Sequence, residues 1–143
     1  MPDPFLSEYC FEREYVSSQR VGEFYGAKVW REGNFVFLQC GDQQQRTLLA
    51  RIDCYGYPAD LPEVTFLDPA TMKPSTEKKF WPPGLSPIKS SRGFGICLAG
   101  TRAYEEHHRG DRTRYSLSSL VEILILCCHG NRQRLSYSYG TKK

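Results

Sequence analysis

The sequence predicts a domain of the α+β class, because strand-like segments fill much of its first half and one long apolar helix lies near its end. Four short runs rich in Val, Phe, Leu and Ile follow one another between residues 27 and 67, and a proline-rich stretch separates them from the helix. A chain of 143 residues, 40% hydrophobic and 13% aromatic, is long enough for one domain with its own core. We therefore expect a single domain over 1–143, with its core at about 26–130.

Short turns join the four predicted strands. Glu32-Gly33-Asn34 and Gly41-Asp42-Gln43 offer the Gly, Asn and Asp residues that hairpin turns favour. This spacing predicts a four-stranded antiparallel meander. The strands predicted from the sequence are Ala27 to Arg31, Asn34 to Cys40, Thr47 to Cys54 and Val64 to Leu67.

The segments that flank the predicted sheet carry other patterns. Residues 5–20 show a loose helical spacing of apolar side chains without clear caps, so the pattern leaves an N-terminal helix open. Proline recurs from 58 to 87, and glycines follow at 93 and 95, which predicts a long irregular loop. The main helix is expected to start after Ser116, to end near Gly130 and, because nearly all its faces are apolar, to lie buried on the sheet. The polar tail 131–143 is expected to fray.

Charge and hydropathy exclude two classes of partner. The formal net charge is only +3, and 19 basic residues are scattered among 16 acidic ones, so nucleic acid is not indicated as a partner. No segment approaches the ~20 consecutive apolar residues of a membrane span, and the N-terminus carries no secretion signal. We therefore expect a cytoplasmic protein without a membrane partner.

The six cysteines suit a reduced protein better than a disulfide-bonded scaffold. Five of them stand singly or as an adjacent pair in apolar segments, as core thiols do: Cys10, Cys40, Cys54, Cys127 and Cys128. No Cys-X-X-Cys or His-X-X-X-His spacing supports a metal site, so we expect neither a metal nor a cofactor. The sixth cysteine, Cys97, lies in a glycine-rich segment and needs a different account.

Three short motifs lie after the third predicted strand. They are Tyr57-Pro58, Pro62-Glu63-Val64-Thr65-Phe66 and Gly95-Ile96-Cys97-Leu98. Their order resembles that of the Tyr-Pro, Pro-X-Val-X-Phe and Gly-X-Ile-Cys-Leu motifs in ubiquitin-conjugating enzymes, and the chain is similar to the small bacterial-type relatives of that family. The resemblance covers about residues 26–130 and implies a UBC-like fold with a meander, a long active-site loop and one main buried helix. Because the chain stops soon after Gly130, it also implies reduced C-terminal helices.

The resemblance implies a catalytic role for Cys97. In this family the cysteine accepts a ubiquitin-like protein as a thioester from an adenylating activating enzyme and passes it to an acceptor amine. A thiolate suits both steps, because it is a good nucleophile and a good leaving group. The implied partners are therefore a ubiquitin-like protein, an activating enzyme and an acceptor protein. By the same resemblance, such bacterial systems act in antiphage defence.

One departure from the family lies just before the cysteine. Where the family carries His-Pro-Asn, this chain carries Ser86-Pro87-Ile88-Lys89, so the asparagine that supports the loop and the oxyanion is missing. We expect the backbone amides near Gly93 and Gly95, or the hydroxyls of Ser90 and Ser91, to support the developing negative charge instead.

A second departure is the added stretch 101–115 after the cysteine. It contains His107 and His108, and the bacterial relatives carry a histidine downstream of the cysteine that takes over part of the missing motif's work. Either histidine is a candidate to deprotonate the attacking amine or to orient the thioester, since imidazole titrates near neutral pH. The alternative is a solvated, charged loop without a catalytic role. Three acidic residues of the same stretch are weaker candidates, namely Glu105, Glu106 and Asp111.

Three other interpretations remain open from the sequence. In the first, Cys97 is a buried core thiol, because free cysteine is among the most buried residue types. In the second, the protein is an inactive UBC-like scaffold that binds a ubiquitin-like protein. A cysteine hydrolase that pairs Cys97 with His107 or His108 is the third interpretation.

Overall fold

The computed structural model describes residues 4–42, 44, 46–91, 93–109, 111 and 113–130. The predicted polar tail at 131–143, and with it the prediction of reduced C-terminal helices, lies outside these residues. The fold is α+β, as predicted. Its elements are α1 (Pro4–Tyr25), β1 (Lys28–Glu32), β2 (Phe35–Gly41), β3 (Thr47–Asp53), β4 (Glu63–Asp68), β5 (Lys73–Pro74), a 3-10 turn (Lys78–Phe80), β6 (Pro87–Ser90), β7 (Gly93–Ile96), α2 (Arg102–His107) and α3 (Leu117–Cys128).

The main sheet is an antiparallel meander in the order β1-β2-β3-β4-β5. The four predicted strands are confirmed to within one residue at each end. The prediction of four strands was nevertheless one short, because the two-residue strand β5 pairs with the end of β4, with Leu67 opposite Pro74 and Asp68 opposite Lys73. Such a short edge strand lacks the alternation that reveals a strand in a sequence.

One face of the sheet is covered by α1 and α3. Helix α3 begins after Ser116, whose Oγ accepts a hydrogen bond from the Ser119 N–H at 3.2 Å, and nine of its 12 residues are buried. It contacts β2 on one side and α1 on the other. The predicted buried helix with a serine cap is therefore confirmed.

Helix α1 has 22 residues, and the sequence pattern left it open. It is fixed to α3 by the Tyr25 hydroxyl, which donates to Glu122 at 2.6 Å, and by Glu14, which accepts the Leu117 N–H at 3.1 Å. The helical pattern is weak because Tyr9 and Phe24 lie on the outer face, 62% and 81% exposed. Apolar residues outside and charged residues beside them blur the amphipathic period.

Two regions predicted as loops contain regular elements instead. Within the proline-rich stretch, β6 and β7 form an antiparallel hairpin in which Pro87 lies opposite Ile96 and Ser90 opposite Gly93. Within the stretch 101–115, α2 forms one and a half turns after its N-cap residue Thr101. Both predictions of irregular structure were wrong there, because elements this short depend on tertiary contacts more than on periodicity.

All six cysteines are free thiols. Four of them are buried, namely Cys40, Cys54, Cys127 and Cys128, whereas Cys10 and Cys97 are partly exposed. Among the described residues, no group of three or more His, Cys, Asp and Glu side chains is arranged to hold a metal ion. None of the described helices has the length and apolar character that crossing a membrane requires.

Candidate active site

Cys97 lies at the centre of a tight turn that follows strand β7. The Leu98 N–H donates to the Ile96 carbonyl oxygen at 3.0 Å, which closes a three-residue turn around Cys97. The Cys97 N–H points to the Ser86 carbonyl oxygen at 3.4 Å, so the turn is also attached to the segment before β6. Ile96 is fully buried, whereas Cys97 is partly exposed. Cys97 is therefore a partly exposed residue that follows the buried end of β7, and not a fully buried core residue.

Thr101 holds the other end of this turn. Its side chain is fully buried, and its Oγ1 donates to the Leu98 carbonyl oxygen at 2.7 Å, with the Ile96 carbonyl oxygen 3.2 Å away. The same Oγ1 accepts a hydrogen bond from the Tyr104 N–H at 3.4 Å, which makes Thr101 the N-cap of α2. One buried hydroxyl thus joins the Cys97 turn to the helix that follows it.

The two candidate histidines point in different directions from α2. His107 Nε2 lies 2.9 Å from the carbonyl oxygen of Lys89 in β6, so this imidazole faces the hairpin. The His108 ring stacks on the Tyr104 ring, with centroids 4.0 Å apart and an angle of 17° between the planes. Residues four apart share one face of a helix, which explains this pairing.

Tyr104 and Asp111 flank His108 and connect it electrostatically with the cysteine. Burial raises the pKa of the Tyr104 phenol, and the charges of Asp111 and Cys97 raise it further. Hydrogen bonds from Thr113 lower the pKa of the Asp111 carboxyl, and the nearby His108 lowers it as well. The His108 carbonyl oxygen also accepts the Asp111 N–H at 3.0 Å, so Tyr104, His108 and Asp111 lie together, while His107 is turned toward β6.

The four residues predicted to support the oxyanion lie in the β6–β7 hairpin. Gly93 precedes Cys97 by four residues along an extended strand, which is about 13 Å at ~3.3 Å per residue, and Ser90 pairs with Gly93. The Ser90 hydroxyl donates to the Glu63 carboxylate. The Ser91 N–H and hydroxyl both donate to Glu106, at 2.9 and 2.6 Å. These serines connect the hairpin to β4 and α2.

Gly95 is the fourth of these residues and the one nearest to Cys97. It is buried in β7, and a Cβ built on it would overlap the carboxylate of Glu63. Of the two arginines nearest to Cys97 in the sequence, Arg92 lies outside the described residues, and the Arg102 guanidinium is 3.9 Å from Asp60 and 3.7 Å from Glu106.

Two backbone donors that the sequence interpretation did not name lie two and three residues after Cys97. Among the hydrogen bonds formed within the described part of the chain, none uses the N–H of Ala99 or of Gly100. Gly100 adopts a φ of +92°, and its Cα packs so tightly on Tyr115 that an added Cβ would lie 2.5 Å from the ring. The glycine after Cys97-Leu98-Ala99 was the signal in the sequence for this turn.

Comparison with models of known protein families gives no match, and neither does comparison with curated proteins. The chemistry open to this site follows from its own side chains. A partly exposed cysteine, two backbone N–H donors two and three residues after it, and an imidazole stacked on a phenol are groups that acyl transfer through a cysteine can use.

Proposed function

We propose that this protein is a ubiquitin-conjugating-enzyme-like transferase that carries a ubiquitin-like protein as a thioester on Cys97. The observation that supports this proposal most is the position of Cys97, a partly exposed thiol centred in a turn between a hairpin and α2. The order of elements around it, a meander followed by a cysteine-bearing turn and a buried helix, is compatible with a UBC-like fold.

The first step transfers the acyl group onto Cys97. The Cys97 thiolate attacks the carbonyl carbon of the thioester on the activating enzyme, a new C–S bond forms, and the activating enzyme's cysteine leaves as a thiolate. Negative charge develops on the carbonyl oxygen. The N–H groups of Ala99 and Gly100 are the donors we assign to this oxygen, and one such donor is typically worth about 3 kcal/mol.

The second step transfers the acyl group from Cys97 to an acceptor amine. The amine nitrogen attacks the thioester carbonyl carbon, its proton passes to a base, and Cys97 leaves as a thiolate. We assign His108 as this base, because its ring is held by Tyr104 and lies near Asp111. His107 has a structural role in this assignment, since its ring contacts the backbone of β6.

The proposal includes the partners and the compartment. A ubiquitin-like protein, an adenylating activating enzyme and an acceptor protein take part in the two steps, and the site needs neither metal nor cofactor for them. The six free thiols suit the cytoplasm, where cysteines stay reduced. A bacterial antiphage defence system is the setting that the sequence resemblance implies.

A thioester assay tests this proposal. The protein is incubated with ATP and with the activating enzyme and ubiquitin-like protein encoded by neighbouring genes, and the products are separated on a non-reducing gel. We expect an adduct that a thiol reductant removes, that is absent in Cys97→Ala and that persists in Cys10→Ala, in which the other partly exposed cysteine is changed. The absence of any adduct would contradict the transferase and support the scaffold.

The cysteine hydrolase is a second candidate, and the proximity of His108 to Asp111 favours it over the scaffold. A hydrolase would need no activating enzyme, because it cleaves a bond already present in its substrate. Release of a fluorophore from the C-terminus of a ubiquitin-like protein without ATP, lost in Cys97→Ala, would establish this activity and exclude the transferase proposal.

A further inference from the structure

Glu63 is a buried carboxylate at the start of β4, only 5% exposed. One oxygen accepts the hydrogen bond from the Ser90 hydroxyl in β6. The other oxygen, Oε1, accepts the Ala103 N–H of α2 at 3.2 Å. A single side chain of the main sheet therefore binds both the hairpin and the helix.

Gly95 in β7 leaves the space that the Glu63 carboxylate occupies. A Cβ on Gly95 would overlap Oε1 and would lie 3.0 Å from the Ala103 Cβ. The carboxylate is thus enclosed between β7 and α2. The backbone adds a second attachment at the same place, because the Arg102 N–H donates to the Pro62 carbonyl oxygen at 2.9 Å.

Cys97 lies in the short segment 97–101 that joins β7 to α2. Because Glu63 contacts the strand before this segment and the helix after it, Glu63 fixes the separation of the two ends. The turn around Cys97 lies between these two ends. Ala103 would lose the acceptor of its N–H if the carboxylate were removed, and the helix start would lose its attachment to β4.

We propose that Glu63 is a positioning residue for acyl transfer, which fixes β7 and α2 relative to each other and so holds Cys97 in its reactive orientation. The inference rests on the proposed function for its link to transfer, whereas its geometric part concerns only the Cys97 segment. Glu63 acts through hydrogen bonds and not through contact with the acyl group. A misplacement of about 1 Å at a reacting group is enough to lower a rate substantially.

The test uses the full chain and three variants at this contact. Glu63→Ala removes both hydrogen bonds, Glu63→Gln keeps a side chain of the same shape that can still accept the Ala103 N–H, and Gly95→Ala forces the carboxylate aside. Glu32→Ala is the matched control, because Glu32 is an exposed glutamate at the end of another strand. Ile125→Val in α3 controls for a general loss of stability.

Two measurements separate the geometric part of the inference from the proposed function. Hydrogen exchange of the amides at 93–96 and 102–107, together with the iodoacetamide alkylation rate of Cys97, reports the geometry of the segment. Transfer of ubiquitin from its C-terminal mercaptoethanesulfonate thioester to Cys97 reports the chemistry, with kcat and KM for this donor determined separately.

We expect Glu63→Ala and Gly95→Ala to speed exchange in both segments, to change the alkylation rate of Cys97 and to lower kcat about tenfold at unchanged KM. Glu63→Gln is expected to retain kcat within about threefold, and both controls to behave like the unchanged protein. The inference would be overturned if amide exchange were unchanged in Glu63→Ala. It would also be overturned if Glu63→Gln or Ile125→Val lost as much kcat as Glu63→Ala. If the unchanged protein accepts no ubiquitin-like protein from any donor, the proposed function fails, and exchange and alkylation still decide whether Glu63 positions Cys97.

Discussion

His108 stacks on Tyr104 with ring centroids 4.0 Å apart, one helical turn along α2. This relationship separates two adjacent histidines that the sequence could not distinguish. His108 lies beside a phenol whose pKa is raised mainly by burial and also by the charge of Cys97, and His107 contacts the backbone oxygen of Lys89. The two histidines therefore differ in environment, and His108 is the one that packs on Tyr104, whose pKa responds to Cys97.

The first prediction concerns these histidines. His108→Ala should lower the rate at which the Cys97 thioester is discharged to free lysine by about 100-fold, because general base catalysis typically contributes that much. Thioester formation should be nearly unchanged, since attack by a thiolate needs no such base. His107→Ala is the matched control and should retain discharge. Single-turnover discharge, followed on a non-reducing gel, measures both rates, and equal losses in the two variants would refute the assignment.

The second prediction concerns the reactivity of the thiols. Burial raises the pKa of the Cys54 thiol to about 12, and its residue is 2% exposed, so Cys54 should not react with iodoacetamide in the native protein at neutral pH. Cys97 is partly exposed and should be alkylated. Mass spectrometry of proteolytic peptides after a brief exposure compares the two sites. If Cys54 were alkylated as fast as Cys97, the burial of Cys54 described above would be contradicted.

The third prediction concerns the turn after Cys97. Gly100→Ala should destabilise the fold by more than about 1 kcal/mol, because an alanine is strained at a φ of +92° and its Cβ would overlap the Tyr115 ring. Gly33→Ala is the control, since Gly33 also has a positive φ but open space around it. Urea denaturation measures both free energies of unfolding. A loss in Gly100→Ala no greater than in Gly33→Ala would contradict the packing against Tyr115.

The fourth prediction concerns the pH dependence of stability. Burial raises the pKa of Glu63 above its ordinary 4.5, although the hydrogen bonds from Ser90 and Ala103 lower it, and of the nearby charges Glu106 raises and Arg102 lowers it. A raised pKa means that the folded protein binds the proton more tightly, so this contribution to stability is complete below pH 4.5 and is lost as the pH rises through the folded pKa.

The free energy of unfolding of the unchanged protein should therefore fall relative to that of Glu63→Gln as the pH rises from about 4 to about 8. The carboxyls of Asp42 and Asp111, whose pKa values are lowered by hydrogen bonds, act in the opposite direction but are present in both proteins and cancel in the difference. Urea denaturation at several pH values gives this difference. A difference that stays constant with pH would show that Glu63 does not titrate abnormally.

The sequence predicted the meander and α3 because their signals are local. Alternating apolar residues separated by Gly, Asn and Asp define the strands, and a serine cap before a continuous apolar run defines α3. The hairpin β6–β7 and the helix α2 have no such pattern. Contacts between distant parts of the chain hold them: Glu63 accepts hydrogen bonds from Ser90 and Ala103, and Thr101 joins the Cys97 turn to α2.

Of the candidate site, the sequence predicted Cys97 but not every residue that surrounds it in the fold. Cys97 stood out because of the residues next to it, and the structure places it in an accessible turn. Tyr104 and Glu63 were missed, since a glutamate inside a strand motif is ordinarily an exposed charge. Only the approach of β4, β7 and α2 in three dimensions shows that Glu63 is enclosed.

The central claim, that Cys97 carries the acyl group, is tested most directly by the mass and the site of the adduct. After incubation with the activating enzyme, ATP and the ubiquitin-like protein, the mass of the intact protein should increase by that of the ubiquitin-like protein less one water, and peptide mapping should place the bond on Cys97. Cys97→Ser should form an ester that resists thiol reductants but not hydroxylamine. An adduct mapped to a lysine or to another cysteine, or no increase in mass, would contradict the claim.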